Sequence, residues 1–467
     1  MGKKKELGLD SMGVQKTMRT SDYIGDGVGM LALNGLAGIV GQMTYFYTDK
    51  VGMAAGAVAT VLLLSKVLDG FTDLIMGKIM DSAKFKSGEK CRPWFKIMLF
   101  PAALIAILMF TVPHAGPDVQ LGYAFLTNIL LSAVVYTAIA IPYTSLQSIR
   151  TRSLEERGKM GIVRAIFSYL IGMILAMLTI PLTNMLGGDQ TAWIKYGVII
   201  AVIIGGALIV LYAKTKETVV SEAGINEEKM VPEENVPFLE AIRLLVKNKY
   251  WVITLLANAF MGIFASLSAS SSVYYAKWVL GNDNLVALLG AVGLIPTILG
   301  FIAVNPMVKK FGMAKASYIS AFIGIVACAV RVFTPYSIVS CIGCGIFTSF
   351  ASMIPMCLIG PMINNCVEYN EWMYGKRMVG MTNSASSFGG KIAGGIGGAL
   401  IGWLLALGNY DPSLAVQPKS AIIAIFAFSI YIPLALFTVQ FILFRKYDLE
   451  GKYAQILSDL KERRGKQ

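Results

Sequence analysis

Apolar runs of twenty or more residues recur along this 467-residue chain, and that is the length a helix needs to cross a hydrocarbon core of about 30 Å. They place spans at 23–48, 54–80, 94–112, 120–147, 161–186, 191–214, 250–277, 283–307, 316–334, 336–363, 379–407 and 418–444. The division between the ninth and tenth rests on Thr334-Pro335-Tyr336. Composition agrees: 55% of residues are hydrophobic and 15% charged, against about 25% charged in an ordinary soluble domain. One water-soluble core of this length could not bury so much apolar surface. The first run is too long for a signal-peptide core and has no convincing cleavage site after it, so no cleaved leader is expected. The reading is an all-α membrane protein with twelve transmembrane helices.

The basic residues set the orientation. Of 41, 31 fall in the N-terminus, in the loops after spans two, four, six, eight and ten, and in the C-terminal tail; the loops of the other face hold Lys50, Lys277 and Lys419. This is the positive-inside pattern at every crossing, so both termini are expected in the cytoplasm, with the chain in the cell (inner) membrane. A net charge of +13 in a soluble protein would suggest nucleic acid; here the charge is topological, and no nucleic-acid partner is expected. The organisation is a six-helix bundle at 1–214, a cytoplasmic linker at 215–249, a second six-helix bundle at 250–444 and a cytoplasmic tail at 445–467. Glu217 to Glu234 reads as linker, and Pro237 to Lys247 as an amphipathic helix on the membrane surface. Gly77-Lys-Ile-Met-Asp81 and Asn305-Pro-Met-Val-Lys-Lys-Phe-Gly312 occupy matching places in the two halves. This 6+6 pattern points to the major facilitator fold, with binding near the midplane.

A charge at the bilayer centre costs roughly 2.5–3.5 kcal/mol on insertion scales, so it usually has a partner and a use. Lys66, Asp69 and Asp73 in span two are spaced i, i+3, i+7 and share one helical face. Two carboxylates one turn apart make a hard-oxygen site for Na⁺ or a pair that shares a proton; the other reading is an ion pair with Lys66 in a bundle seam. Arg164 in span five and Lys391 in span eleven could balance those aspartates, hold a sugar hydroxyl or carboxylate, or pair between helices without touching a ligand. Lys78, near a span end, is expected to snorkel, and Lys195 and Arg331 to act as anchors.

Asn34, Gln42 and Tyr45 of span one, Tyr136, Thr137, Tyr143, Thr144 and Ser145 of span four, and Asn383, Ser384, Ser386 and Ser387 of span eleven offer neutral hydrogen-bonding groups. These suit a polyhydroxylated solute, or equally hydrogen bonds between helices. Gly390, Gly394 and Gly398 read as close helix packing. Neither Gly-Gly-Lys-Ile nor Gly25-Asp-Gly-Val-Gly29 has the strand that a nucleotide loop requires. Cys341 and Cys344 have CxxC spacing inside a span; without a second ligand pair, and with His114 the sole histidine, they read as packing. No cofactor is expected, and no metal beyond Na⁺ at Asp69 and Asp73.

Several stretches in this order resemble the glycoside–pentoside–hexuronide:cation symporters, the family of the melibiose and glucuronide permeases. They are Tyr47-Thr-Asp49, Lys66-Val-Leu-Asp-Gly-Phe-Thr-Asp73, Gly88-Glu-Lys-Cys-Arg-Pro-Trp94, Ile141-Pro-Tyr-Thr-Ser-Leu146, and Glu368-Tyr-Asn-Glu-Trp372 with Arg377 and Lys391. The resemblance runs almost end to end. It implies that Asp69 and Asp73 bind the cation with Thr137 and Ser387 nearby, that Arg164 and Lys391 serve sugar binding and coupling alongside Lys66, and that Tyr136 and Thr144 line the sugar pocket. The melibiose permeases grip galactosides with carboxylates from spans one and four. Here those positions hold Leu33 or Asn34, and Ala140, while Asn365 stands where Asp is common and Val379 where Glu is common. Losing two carboxylates while keeping Arg164 and Lys391 makes the site more positive, which suits a hexuronide or other anionic glycoside and leaves H⁺ as acceptable as Na⁺.

The expectation is a monomeric secondary active transporter that imports a glycoside, pentoside or hexuronide with H⁺ or Na⁺ by alternating access. The alternatives are a lipid or amphiphile transporter of the same fold, which requires an apolar, laterally open cavity, and a non-transporting membrane sensor. No nucleophile–base set marks an enzyme. The topology is testable with a membrane-impermeant maleimide. In intact cells His114→Cys labels from outside, and Lys376→Cys labels only after permeabilisation; the reverse pattern refutes the orientation.

Overall fold

The structure, a computed structural model, describes residue 8 and residues 15–83, 85, 88–151, 153–215, 217, 238–376 and 378–465. The chain forms two compact units, Met1–Glu227 and Glu228–Gln467. Among the described residues, eleven helices are long and apolar enough to cross a membrane. The expected third crossing is broken into α3 (Arg92–Ile97) and the ten-residue apolar α4 (Leu99–Leu108). Counted as one, these two are compatible with twelve spans. The division at Thr334-Pro335-Tyr336 holds, since one helix ends at Phe333 and the next starts at Ile338.

The first unit begins with α1 (Thr20–Tyr45), which runs into a π-helical turn at Phe46–Lys50, followed by α2 (Ala55–Ser82). After α3 and α4, α5 (Pro117–Ile129) passes through a π-helical stretch, Leu130–Tyr136, into α6 (Thr137–Arg150). Two long helices close the unit: α7 (Leu154–Met185), capped by Ser153, and α8 (Gln190–Lys214), capped by Asp189. α1 packs against both. Its glycines permit this, because a Cβ at Gly27 would stand 2.8 Å from Phe167 of α7 and one at Gly29 3.0 Å from Leu211 of α8. Small residues let helix backbones approach where lipid offers no hydrophobic drive between helices.

The second unit comprises α9 (Phe238–Lys247), α10 (Lys249–Trp278), α11 (Leu285–Phe311), α12 (Met313–Phe333), α13 (Ile338–Tyr374) and α14 (Val379–Leu407). Next come α15 (Lys419–Phe426), a π turn at Ala427–Tyr431, α16 (Ile432–Arg445) and α17 (Glu450–Gly465). α10 lies tightly along α14: a Cβ at Gly262 would meet the Gly390 carbonyl at 3.0 Å, and one at Gly397 the Ile263 carbonyl at 2.7 Å. Gly394 also faces α10, whereas Gly398 has open space. The packing stripe is therefore 390, 394, 397, because 3.6 residues per turn carry a strict four-residue series off the contact line.

α9 turns its apolar stripe toward protein. Its Ala241 and Leu245 are fully buried in a protein core with Tyr250, Cys366, Tyr447, Ile456 and Leu460, and Glu240 pairs with Lys376 at 2.6 Å. The apolar stripe finds protein side chains here, including those of α17, and buries against them.

Three glutamates hold helix beginnings. Glu217 accepts from the backbone N–H groups of Lys90, Cys91 and Arg92 at 2.7–2.8 Å, so the expected linker starts with a docked residue; 218–237 lie outside the described residues. Glu450 accepts from Met313 and Ala314 at the start of α12. Glu156 accepts from the Thr17 and Met18 N–H groups and the Thr151 hydroxyl. Each carboxylate meets orphan N–H donors and the positive end of a helix or its approach. Burial works against the Glu156 charge, but the hydrogen bonds from Thr151, Met18 and Thr17 outweigh it and hold the carboxyl below its ordinary value. A depressed carboxyl contributes stability above its unfolded pKa and loses that contribution as pH falls through the folded one. Glu156→Gln should therefore cost about 1–3 kcal/mol at neutral pH. The gap from wild type, read by thermal unfolding, should close as pH falls below about 4; a gap that persists there contradicts the assignment.

Candidate functional site

Asp69 lies near the middle of α2 and is 3% exposed. Its Oδ2 is 3.8 Å from Lys66 Nζ, one turn earlier on the same helix. The Thr72 hydroxyl donates to the Asp69 carbonyl at 3.0 Å. From α6, the Thr137 hydroxyl approaches Asp69 Oδ1 at 3.3 Å. Asp73 comes one turn later on α2, and its side chain is outside the described set. Lys66, Asp69 and Thr137 are thus brought together within the first unit.

Thr137 owes its place to the π-helical stretch before it. A π turn carries one extra residue and rotates the part of the helix beyond it, and α2 packs against both this stretch and α6. The Thr137 hydroxyl is also 3.1 Å from the Ser132 carbonyl. One hydroxyl proton serves one acceptor at a time. Donating to Asp69, Thr137 stabilises a bare carboxylate; donating to Ser132, it leaves its lone pairs free beside that carboxylate. A hydroxyl and a carboxylate together are hard oxygen donors of the kind that small cations take, and the carboxylate alone can take a proton. Among the described residues there is no group of three or more His, Cys, Asp or Glu that could hold a metal ion.

Arg164 has a different setting. Its Nε and Nη2 donate to the two carboxylate oxygens of Asp26 at 2.6 and 2.8 Å, and its guanidinium lies 3.8 Å from the centre of the Tyr143 ring. The Tyr143 hydroxyl donates to the Asp26 carbonyl at 2.7 Å. Arg150 joins from the end of α6, 3.9 Å from Asp26 and 3.8 Å from Asp22, and donates to the Lys214 carbonyl. Asp26 is 0% and Arg164 6% exposed. Two arginines and two aspartates balance in charge, and the fork–fork pair is the strong geometry. Asp26 was missed in the sequence because it sits in the glycine stretch Gly25–Gly29, and Arg150 because it reads as one of the basic residues of the loop after span four. The signal was a carboxylate inside an apolar run.

The other expected residues are more scattered. Asn34 donates to the Met30 carbonyl and to Ser168 Oγ of α7. Thr144 is exposed and bonds its own helix at the Ala140 and Ile141 carbonyls. Tyr136 ends the π-helical stretch, half-buried. In the second unit Lys391 is half-buried on α14 with Ser387 exposed one turn before it. Ser386 faces the other way and accepts from Trp251 Nε1 at 3.1 Å. Arg377 and the side chains of Lys78, Val379 and Ser384 lie outside the described set.

The profile of the MFS/sugar transport protein family matches residues 25–451. The chain belongs to that family. It is 26% identical over 435 residues to the isoprimeverose transporter of Lactiplantibacillus pentosus, covering 90% of this chain and 87% of that protein. It is 27% identical over 453 residues to the putative glycoside/cation symporter YagG of Escherichia coli (strain K12), covering 95% of each. Among solved structures, the D-xylose-proton symporter aligns over 91% of this chain and 97% of its own, with a TM-score of 0.61 at 12% identity, and so shares the fold. The protein is therefore a multi-pass major facilitator transporter, not an enzyme.

Removing Asp26 leaves two guanidinium groups buried without their shared carboxylate. Breaking such a pair typically costs about 3–5 kcal/mol. Asp26→Ala should sharply reduce folded protein in detergent, measured by size exclusion and thermal unfolding. Adding Arg164→Leu should recover part of the loss; full additivity of the two changes contradicts the pairing.

Proposed function

We propose that this transporter is a symporter that brings a glycoside, pentoside or hexuronide into the cell with H⁺ or Na⁺. Asp69 carries the reading: a carboxylate 3% exposed in an apolar bundle, with Lys66 on one side and the Thr137 hydroxyl on the other. Neutralising such a group changes its partners, since a proton or Na⁺ on Asp69 weakens the hold of Lys66 and turns the Thr137 hydroxyl. That exchange is a local switch through which an ion can bias alternating access. Asp73 and Ser387 are proposed to complete the cation site. Asn34, Tyr136, Thr144 and Lys391 are proposed to meet the solute. The names of the relatives, an isoprimeverose transporter and a putative glycoside/cation symporter, support the substrate class and the coupling.

Asp26 changes one part of the substrate argument. The surplus positive charge read from Arg164 is cancelled by its partner, so a neutral glycoside fits as well as a hexuronide. The lipid reading has its apolar groove, about 610 Å³ along the α12–α13 hairpin, but no charged residue among its lining to meet a headgroup. We place the protein in the cell membrane as a monomer with both ends in the cytoplasm.

One charge moving through 100 mV supplies about 2.3 kcal/mol, a concentration ratio of roughly forty. Proteoliposome uptake of a glycoside panel, with H⁺ and Na⁺ gradients imposed separately, identifies the ion. Asp69→Ala with Asp73→Ala should abolish accumulation, and Thr137→Val should weaken the apparent cation affinity by roughly tenfold, the equivalent of about 1.4 kcal/mol. Accumulation that survives both the double variant and collapse of both gradients overturns the proposal.

A further inference from the structure

Arg331 is a cation in the apolar second unit for which the described residues supply no carboxylate. It sits in the last turn of α12. Its guanidinium lies 4.7 Å from the centre of the Tyr275 ring of α10, and Nη1 donates to the Ser429 carbonyl at a long 3.4 Å. Cys341 of α13 and Cys328, one turn earlier on α12, complete its surroundings together with the Tyr275 hydroxyl; no aspartate or glutamate is among its charge partners. The contrast with Arg164, held by both oxygens of Asp26, is direct.

Two buried polar atoms in this cluster have no hydrogen-bond partner among the described residues: Arg331 Nε and Ser429 Oγ. The Tyr275 hydroxyl is engaged, donating to the Pro335 carbonyl. Ser429 stands in the π turn Ala427–Tyr431, where the shifted ladder frees its carbonyl for Arg331. The thiols nearby are weak donors and bring no formal counter-charge. Arg331 is part-buried with its Nε shut off from solvent, and an N–H of a charged group kept from water needs an acceptor. Arg331 Nε–H donates only, and the Ser429 hydroxyl can donate alongside it; with both donating, they select an acceptor that is itself negative. Two donors suit a small monovalent ion and are too few for a tetrahedral dianion.

We propose that Arg331 and Ser429, backed by Tyr275, form a binding site for a monovalent anion of the chloride class, which serves as the counter-ion that the surrounding side chains do not provide. The competing account is that the Tyr275 face and the carbonyls ending α12, which favour a cation, hold Arg331 unaided.

The test uses purified full-length protein in sodium gluconate, with chloride substituted at constant sodium and ionic strength. The proposal expects a saturable rise in melting temperature over the millimolar range, absent in Arg331→Gln. In Ser429→Ala it expects the midpoint to move to roughly tenfold higher chloride, as for one lost hydrogen bond to a charged group. Bromide soaked into crystals should give an anomalous peak within hydrogen-bond distance of Arg331 Nε. This arm and Ser429→Ala keep the test decisive if Arg331→Gln does not fold. Equal stability in gluconate and chloride, an equal chloride response in Arg331→Gln, or no bromide peak at Nε overturns the site and favours the competing account.

Discussion

A charge inside an apolar helical bundle has to be matched at contact distance, and the chain meets this requirement in several ways. Asp26 matches Arg164 with both its oxygens and reaches Arg150 as well. Asp69 has a lysine at 3.8 Å and a hydroxyl with a second acceptor available. A bidentate buried pair resists rearrangement, while the hydroxyl beside Asp69 can turn between two acceptors. Both are built on helix faces that the surrounding packing keeps out of lipid.

The same logic governs the helix ends. Orphan N–H groups at the beginnings of helices need acceptors, and Glu156, Glu217 and Glu450 each provide one from a distant part of the chain. These contacts tie loops and tail to the bundles. α9 and α17 add apolar burial to this, so the segments that link the spans or come after them become part of the packed protein.

Most of the fold was legible because membrane spans write themselves as long apolar runs, and even the short turn around Pro335 marked a true boundary. The third crossing was not legible in detail: its run is continuous in composition, yet the helix is interrupted at Met98 between α3 and α4. The packing partners of α9 were not legible, because an amphipathic stripe announces that it will be buried but not against what. Lys66, Asp69 and Thr137, which the structure brings together, stood out in the sequence, the first two by helical spacing and the third by resemblance. Asp26 was hidden by its glycine neighbours, of which Gly27 lets α7 come close enough for Arg164 to reach it. Arg331 reads as an interfacial anchor from its position near a span end; its contacts with Tyr275 and Ser429, which are far away in sequence, were not legible there.

The π-helical stretch Leu130–Tyr136 leaves its mark on how this chain compares with its kin. An extra residue within a helix turns everything beyond it by about 100°, since each residue of an α-helix accounts for that much rotation. A relative whose span four is regular α-helix must therefore be one residue shorter between the equivalents of Leu130 and Thr137, or present a different side chain to its α2. Counting residues straight through this stretch would match Thr137 to the wrong neighbour. Correspondence in span four has to be drawn from which side chain faces the aspartate, with a one-residue step at the π turn.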